Sequence, residues 1–277
     1  MSLHPSEIIR KLFAGVGSPY QSQRQRLDRI KRNCMNYKDP HVCYLVMELG
    51  AQPYVSWRHN TGNHFGRAHQ QLTYEGYLGL VHPAWNVLYY LYGEIAYGIS
   101  VRNPEKLQED NITFTLKVPL LGADGNYYWY DQIVIPGEVD HKGQMCSHLN
   151  YYRRLDRYER LLPSAPTIHI GGRIDEQLGK IFHVGFKKIV DPFLASLFPP
   201  KQAAFLQKYR ALTEVRDGGK PAREAGAKAL GFSTPDAYDR AQQRIKNRLD
   251  SHLMGLRANT AHAFAGILND FLPENRG

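Results

Sequence analysis

The stretch Asn111-Ile-Thr-Phe-Thr-Leu-Lys-Val118 alternates without a break. Ile112, Phe114, Leu116 and Val118 fall on one side, and Thr113, Thr115 and Lys117 on the other. A period of two residues is that of a β-strand with one buried and one wetter face. From about Leu121 a loop leads into Asp124-Gly125, a pair favoured in hairpin turns because glycine accepts a positive φ. A second strand, Tyr127 to about Val139, is therefore expected to return antiparallel. Asp140-His141-Lys142-Gly143 makes another turn, and Gln144 to Arg154 a third strand, with Met145, Ser147, Leu149 and Tyr151 on one side.

Upstream of these strands the spacing is mostly helical. Ser6 to Phe13 reads as a helix that ends at the Gly15–Pro19 break. Tyr20 to Cys34 reads as a basic amphipathic helix, with Leu27, Ile30 and Cys34 on its apolar side and Arg24, Arg26, Arg29, Lys31 and Arg32 around it. Its cations suit a DNA backbone contact, a dimer arm, or the solvated face of a packing helix. His41 to about Val55 is apolar and strand-like, His59–Gly66 is polar and loop-like, and Leu72 to Ser100 is helical again. Helices followed by three antiparallel strands give an α+β domain.

In the 277-residue chain, 35 Lys and Arg face 26 Asp and Glu, a net charge of +9. The excess is not spread evenly. Residues 1–40 carry +5, residues 41–200 carry −1 and residues 201–277 carry +5. Local surpluses of this kind point to a polyanion partner more than to general solubility. No apolar run has the roughly 18 residues of a spanning helix, and the start of the chain lacks a secretory apolar core, so a soluble, cytoplasmic protein away from the membrane is expected. Cys34, Cys43 and Cys146 form no C-x-x-C pair and are read as reduced thiols.

The segment 50–155 resembles a PAS domain. The resemblance rests on Phe114-Thr-Leu-Lys-Val118, on Asp124-Gly125-Asn126-Tyr127-Tyr128-Trp129 as a DG-x-Y-x-W hairpin, on the Asp140–Gly143 turn, and on His82-Pro83 before a long helix. It implies a sensory or dimerising module with a cavity between sheet and helices, open to a small-molecule ligand. The cofactor stays unknown. The reactive cysteine motif of flavin photosensors is missing, and haem would have only His82 as an axial ligand, a position that more often serves a turn. His59, His64 and His69 step by five residues, about 140° apart on a helix, so they share no helical face and no metal site is assigned. Catalytic residues are not assigned either, because no nucleophile elbow, P-loop, dinucleotide fingerprint or zincin helix occurs.

After Leu162-Pro163-Ser164-Ala165-Pro166 and Gly171-Gly172, residues 174–200 have helical apolar spacing (Ile174, Leu178, Ile181, Phe182, Phe186, Ile189, Phe193), as in a connector helix. The rest reads as all-helical: Phe205 to about Asp217, Pro221 to Leu230, then a helix capped by Ser233 or Thr234 and running to about Leu253. A short helix, a glycine turn and a long helix make the helix-turn-helix plan. Leu230-Gly231-Phe232-Ser233 with Ile245 and Leu249 resembles the core of LuxR-type DNA-binding domains, and Thr260–Leu272 corresponds to that family's fourth helix. On the long helix, Ala237, Tyr238, Ala241, Ile245, Leu249 and His252 share one face. Asp236, Asp239, Arg240, Gln243, Lys246, Asn247 and Asp250 share the other, with Arg244 at its flank. Arg240, Gln243, Arg244, Lys246 and Asn247 are the expected DNA-binding residues, since Arg and Gln read base edges and Lys and Arg hold phosphates.

The sequence therefore implies an α+β fold: a PAS-like antiparallel sheet with flanking helices, plus an all-α helix-turn-helix C-terminal domain. The expected divisions are an N-terminal helical segment (1–45), the PAS-like domain (46–160), a connector with an amphipathic helix (161–200) and the LuxR-type domain (201–277). A homodimeric transcriptional regulator that binds DNA and senses a signal is the expected function. A PAS-based signalling scaffold that binds a protein partner without reading DNA is the alternative.

Overall fold

The computed structural model describes residues 21–36, 38–50, 52–66, 72–104, 107, 112–158, 166–181, 184–185, 194–195, 198–214 and 222–252. The fold is mixed α+β, and the chain divides into two compact units. One holds the described residues up to Arg157 together with 166–181. The other holds Tyr158 and the described residues from 184 onward.

A seven-stranded antiparallel sheet forms the first unit, in the order β2-β1-β5-β4-β3-β6-β7. The strands are β1 (Val42–Glu48), β2 (Tyr54–His59), β3 (Ile112–Leu121), β4 (Tyr127–Pro136), β5 (Ser147–Arg157), β6 (Thr167–Ile170) and β7 (Arg173–Ile174). The alternation read in β3 is present. Ile112, Phe114 and Val118 are buried, whereas Leu116, read on the same side, is half-buried like Thr113, Thr115 and Lys117. Gly125, at φ +78°, closes the β3–β4 turn as the Asp-Gly pair implies. Asp124 is held there by the Asn126 amide and the Tyr128 hydroxyl, which lower its pKa to about 2.

Several boundaries differ from the sequence reading. The apolar stretch from His41 to Val55 is not one strand but the hairpin β1–β2, reversed before Tyr54 near Pro53, which cannot donate to a ladder. Strand β3 runs on through Leu121. Strand β4 stops at Pro136, short of Val139, and β5 begins only at Ser147. A single bridge between Val139 and Met145 carries the hairpin between them. Residues 61–65, expected in a loop because of Gly62 and Gly66, form helix α2 (Thr61–Phe65), which buries His64 and Phe65. Ile174, counted on the connector helix, lies in β7. Gly171 and Gly172, both at positive φ, turn β6 back into a short hairpin, and a helical segment starts only at 176.

Both faces of strand β1, next to the edge strand β2, are buried. Val42, Tyr44 and Val46 point to one face, and Cys43, Leu45 and Met47 to the other. Helix α1 (Gln21–Met35) covers the first face: Leu27 sits in the cluster of Val42, Tyr44, Val46 and Leu149, with Ile30, Cys34 and Trp57 packed around it. The second face is covered by α2, α3 (Tyr74–Leu78) and α4 (Asn86–Arg102), which lie in sequence between β2 and β3. Trp85, just before α4, packs edge-on to Trp129 of β4. The basic helix α1 is thus a packing helix whose Arg29 and Arg32 face outward.

The second unit is helical: α5 (Pro200–Glu214), α6 (Arg223–Ala229) and α7 (Pro235–His252). Residues 260–272, read as a fourth helix, lie outside the described residues, as do Ser6–Phe13 and most of the connector's apolar positions beyond Ile181. Among the described residues, no helix is long and apolar enough to cross a membrane.

All three tryptophans (Trp57, Trp85, Trp129) belong to the first unit, so tryptophan fluorescence reports its unfolding alone. Leu27→Ala should lower that unit's stability by about 2–4 kcal/mol in urea titration, as expected for a buried leucine. Arg32→Ala should change it by less than about 0.5 kcal/mol. Equal effects would show that α1 is held by its charges and not by its apolar side.

Candidate functional site

Among the described residues, two places combine polar chemistry with defined geometry, one in each unit. In the first unit it is the layer between the sheet and helices α2–α4. Tyr130 and Gln132 of β4 and Asn150 and Tyr152 of β5 lie on the sheet face that receives these helices, each nearly or wholly excluded from solvent. Tyr152 donates its hydroxyl proton to Tyr77 of α3, which is joined in turn to Tyr89 of α4. Gln132 Nε2 donates to Tyr89 Oη at 3.0 Å and to Asn150 Oδ1 at 2.8 Å. Burial raises the pKa of all three tyrosines, so the chain of hydroxyls stays neutral. Gln132 Oε1 and Asn150 Nδ2 are buried and make no hydrogen bond to a described residue.

His64 borders this layer. Its ring lies between Phe65 and Tyr130, and Nδ1 is 3.3 Å from the Tyr130 hydroxyl. Burial first, and then the charge of Arg154, lower its pKa to about 4, against the weaker pull of the Pro40 and Val42 carbonyls. His148 on β5 is lowered to about 4 by burial alone.

The other histidines singled out by sequence are placed elsewhere. His59 stacks on Trp57 in β2, and His69 lies outside the described residues. His82 is wholly buried, with its ring edge-on to Tyr127. Its N–H donates to the Pro119 carbonyl and its own carbonyl accepts from Trp85, which is the part of a turn residue before a helix. Among the described residues, no three His, Cys, Asp or Glu side chains gather as a metal site. Cys34, Cys43 and Cys146 are not disulfide-bonded, and burial raises their pKa values, the opposite of what activates a thiol.

In the second unit the site is built on α7. Helix α6 ends in a Schellman turn: Phe232 N–H donates to the Ala227 carbonyl and Gly231 N–H to the Lys228 carbonyl, with Gly231 at φ +76°. The turn carries Phe232 onto Phe205 of α5 and Tyr238 of α7. Thr234 then caps α7, its hydroxyl accepting from Ala237 N–H at 3.2 Å, and Pro235 occupies the first helical position. Tyr238 and Ile245, seven residues apart, are each 1% exposed and fix the rotation of α7 about its axis.

Arg240, Gln243, Arg244, Lys246 and Asn247 are consequently all exposed, brought together along about two turns of one helix. The side chains of Leu249, Asp250 and His252 lie outside the described part. Gln243 donates to Asn247 Oδ1 at 2.8 Å. One residue absent from the sequence reading belongs here. Arg223, first in α6, binds Asp239 through Nε at 2.6 Å and Asp236 through Nη2, gathering two acids near the start of α7. Its partners lie 13 and 16 residues away, so only the folded turn brings them together.

Compared with known proteins, the chain matches no family model and no curated protein sequence.

His64 and His148 carry a pH prediction for the first unit. In the unfolded chain they titrate near their ordinary value of 6.5, but in the folded unit only near 4. Their contribution is full above pH 6.5 and is lost as the pH falls toward 4, by about 3 kcal/mol each. Urea titrations followed by tryptophan fluorescence at about pH 7 and about pH 4.5 should show this loss, and His64→Gln should shrink it by close to half.

Proposed function

We propose that the chain is a DNA-binding transcriptional regulator, a homodimer whose first unit is a PAS-like sensory or dimerisation module and whose α7 enters the DNA major groove. The observation that carries this reading is the division of α7. Tyr238 and Ile245 seat one side in the aromatic core of the second unit, and the other side presents three cations and two amides to solvent. Arginine, lysine, glutamine and asparagine are the side chains that hold phosphates and read base edges. The helix–Schellman turn–helix order of α6 and α7 and the +5 surplus of residues 201–277 point the same way.

For the first unit, support comes from the order β2-β1-β5-β4-β3 with all three covering helices inserted between β2 and β3, and from the DG-x-Y-x-W turn at the head of β4. A sheet with helices packed on it and a hairpin at Asp124-Gly125 are what the PAS resemblance implies. A neutral small molecule taken up between sheet and helices would meet Gln132 Oε1 and Asn150 Nδ2, an acceptor and a donor not otherwise engaged with described residues.

Asp236 and Asp239 near the start of α7 favour a second reading, a signalling scaffold that docks a protein through this helix, because carboxylates repel phosphate. A protein partner whose capture survives charge reversal at Arg240 and Lys246 would support it.

Selection from randomised duplex DNA tests the regulator directly. Enrichment of a paired motif is expected, with half-site centres separated by about 34 Å or a multiple. Lys246→Ala should weaken binding to all sequences alike and reduce the magnitude of the salt slope by about 1. Binding that enriches no sequence and is unchanged in Arg240→Ala and Lys246→Ala would refute the proposal.

A further inference from the structure

We infer that Gln243 and Asn247 act as one unit that reads an adenine, at one position in each half-site. This rests on the DNA-reading proposal and adds the base to it.

The two amides stand one helical turn apart on the exposed side of α7 and are already joined, Gln243 Nε2 to Asn247 Oδ1 at 2.8 Å. Each amide offers both donors and an acceptor. The bond between them uses one donor of Gln243 and one lone pair of Asn247, leaving Gln243 Oε1 as an unengaged acceptor beside Asn247 Nδ2 as an unengaged donor, with one N–H of Gln243 and one lone pair of Asn247 Oδ1 to spare. Turning both amides over leaves one of each as well, so the pattern does not depend on which atom is nitrogen. In the major groove adenine places its N6 donor beside its N7 acceptor. Guanine offers two acceptors, cytosine a donor, and thymine an acceptor and a methyl group. An acceptor beside a donor therefore matches adenine. The mutual bond also restrains both side chains before DNA arrives, which reduces the ordering cost of binding.

Arg223 determines why the middle of α7, and not its first turn, does this reading. Asp236 and Asp239 could accept from a cytosine amino group or repel the backbone. Both are bound to the Arg223 guanidinium, a charge-assisted pairing that occupies one oxygen of each and offsets half of their combined charge. Arg240 and Arg244 each lie three residues before one amide of the pair, on the same exposed side, where they can flank it on guanines or phosphates.

The test uses the full-length chain and the motif it enriches from randomised duplex. Each adenine of the motif is replaced in turn by the other bases and by 7-deazaadenine, which lacks the N7 acceptor. At one position per half-site, replacement should weaken wild-type binding roughly 10-fold, and 7-deazaadenine should weaken it as well. In Gln243→Ala or Asn247→Ala that one preference should vanish while the others persist, and the double variant should lose little more than either single one, as expected of a coupled pair. Alanine at these exposed helical positions favours the helix, so folding is retained. A motif whose adenine preferences are all unchanged in both variants overturns the inference and leaves the regulator standing. Failure to enrich any motif overturns the DNA reading itself, and does so before any base is replaced.

Discussion

A strand buried on both faces must be covered twice, and this constraint organises the first unit. Strand β1 has no polar face to give to water, with Cys43, Leu45 and Met47 on one side and Val42, Tyr44 and Val46 on the other. Helix α1 supplies one cover through Leu27, Ile30 and Cys34. The helices between β2 and β3 supply the other, and they are seated by hydroxyl groups as well as by area. Buried tyrosines need partners, and Tyr152, Tyr77 and Tyr89 find them in one another and in Gln132. Displacing α3 or α4 would strand those hydroxyls in the interior, which makes this layer stiff and gives it a defined polar pattern.

In the second unit the corresponding constraint is a single tyrosine. Tyr238, packed against Phe205 and Phe232, can be buried in only one rotation of α7, and that rotation decides what the helix shows to solvent. The Schellman turn at Gly231 places Phe232 for this contact, and the Thr234 cap sets where the helix begins. Function and stability meet in these few residues. The aromatic side of the helix holds the unit together, and its opposite side is exposed.

How much of this was legible depended on periodicity. Strand β3 could be read because its two faces differ, and α7 because its apolar residues recur at helical spacing. Strand β1 could not be separated from β2 by pattern, since a strand buried on both sides is an unbroken apolar run. Helix α2 was hidden by Gly62 and Gly66, although the burial of His64 and Phe65 holds it in place. The hairpin β6–β7 was hidden by its brevity, with Gly171-Gly172 as the one available sign. Gln132 and Asn150 sit in strands whose neighbours suggested nothing unusual. A signal did exist for Gln132, because it shares a face with Tyr130 and pairs with Leu116 on the apolar side of β3. Arg223 had no signal, because its role arises only when the turn sets α6 beside the start of α7. The exposed positions of Arg240, Gln243, Arg244, Lys246 and Asn247 follow from the helix alone.

The central claim is that this exposed side of α7 lies against the bases of DNA. Photo-crosslinking addresses it most directly, with a photoreactive side chain placed at position 243 or 247 and, for comparison, at the exposed Ala204 of α5. The account predicts crosslinks to duplex DNA from 243 and 247 and essentially none from 204. Crosslinks from 243 and 247 to protein alone, or equal crosslinking to DNA from all three positions, would contradict it.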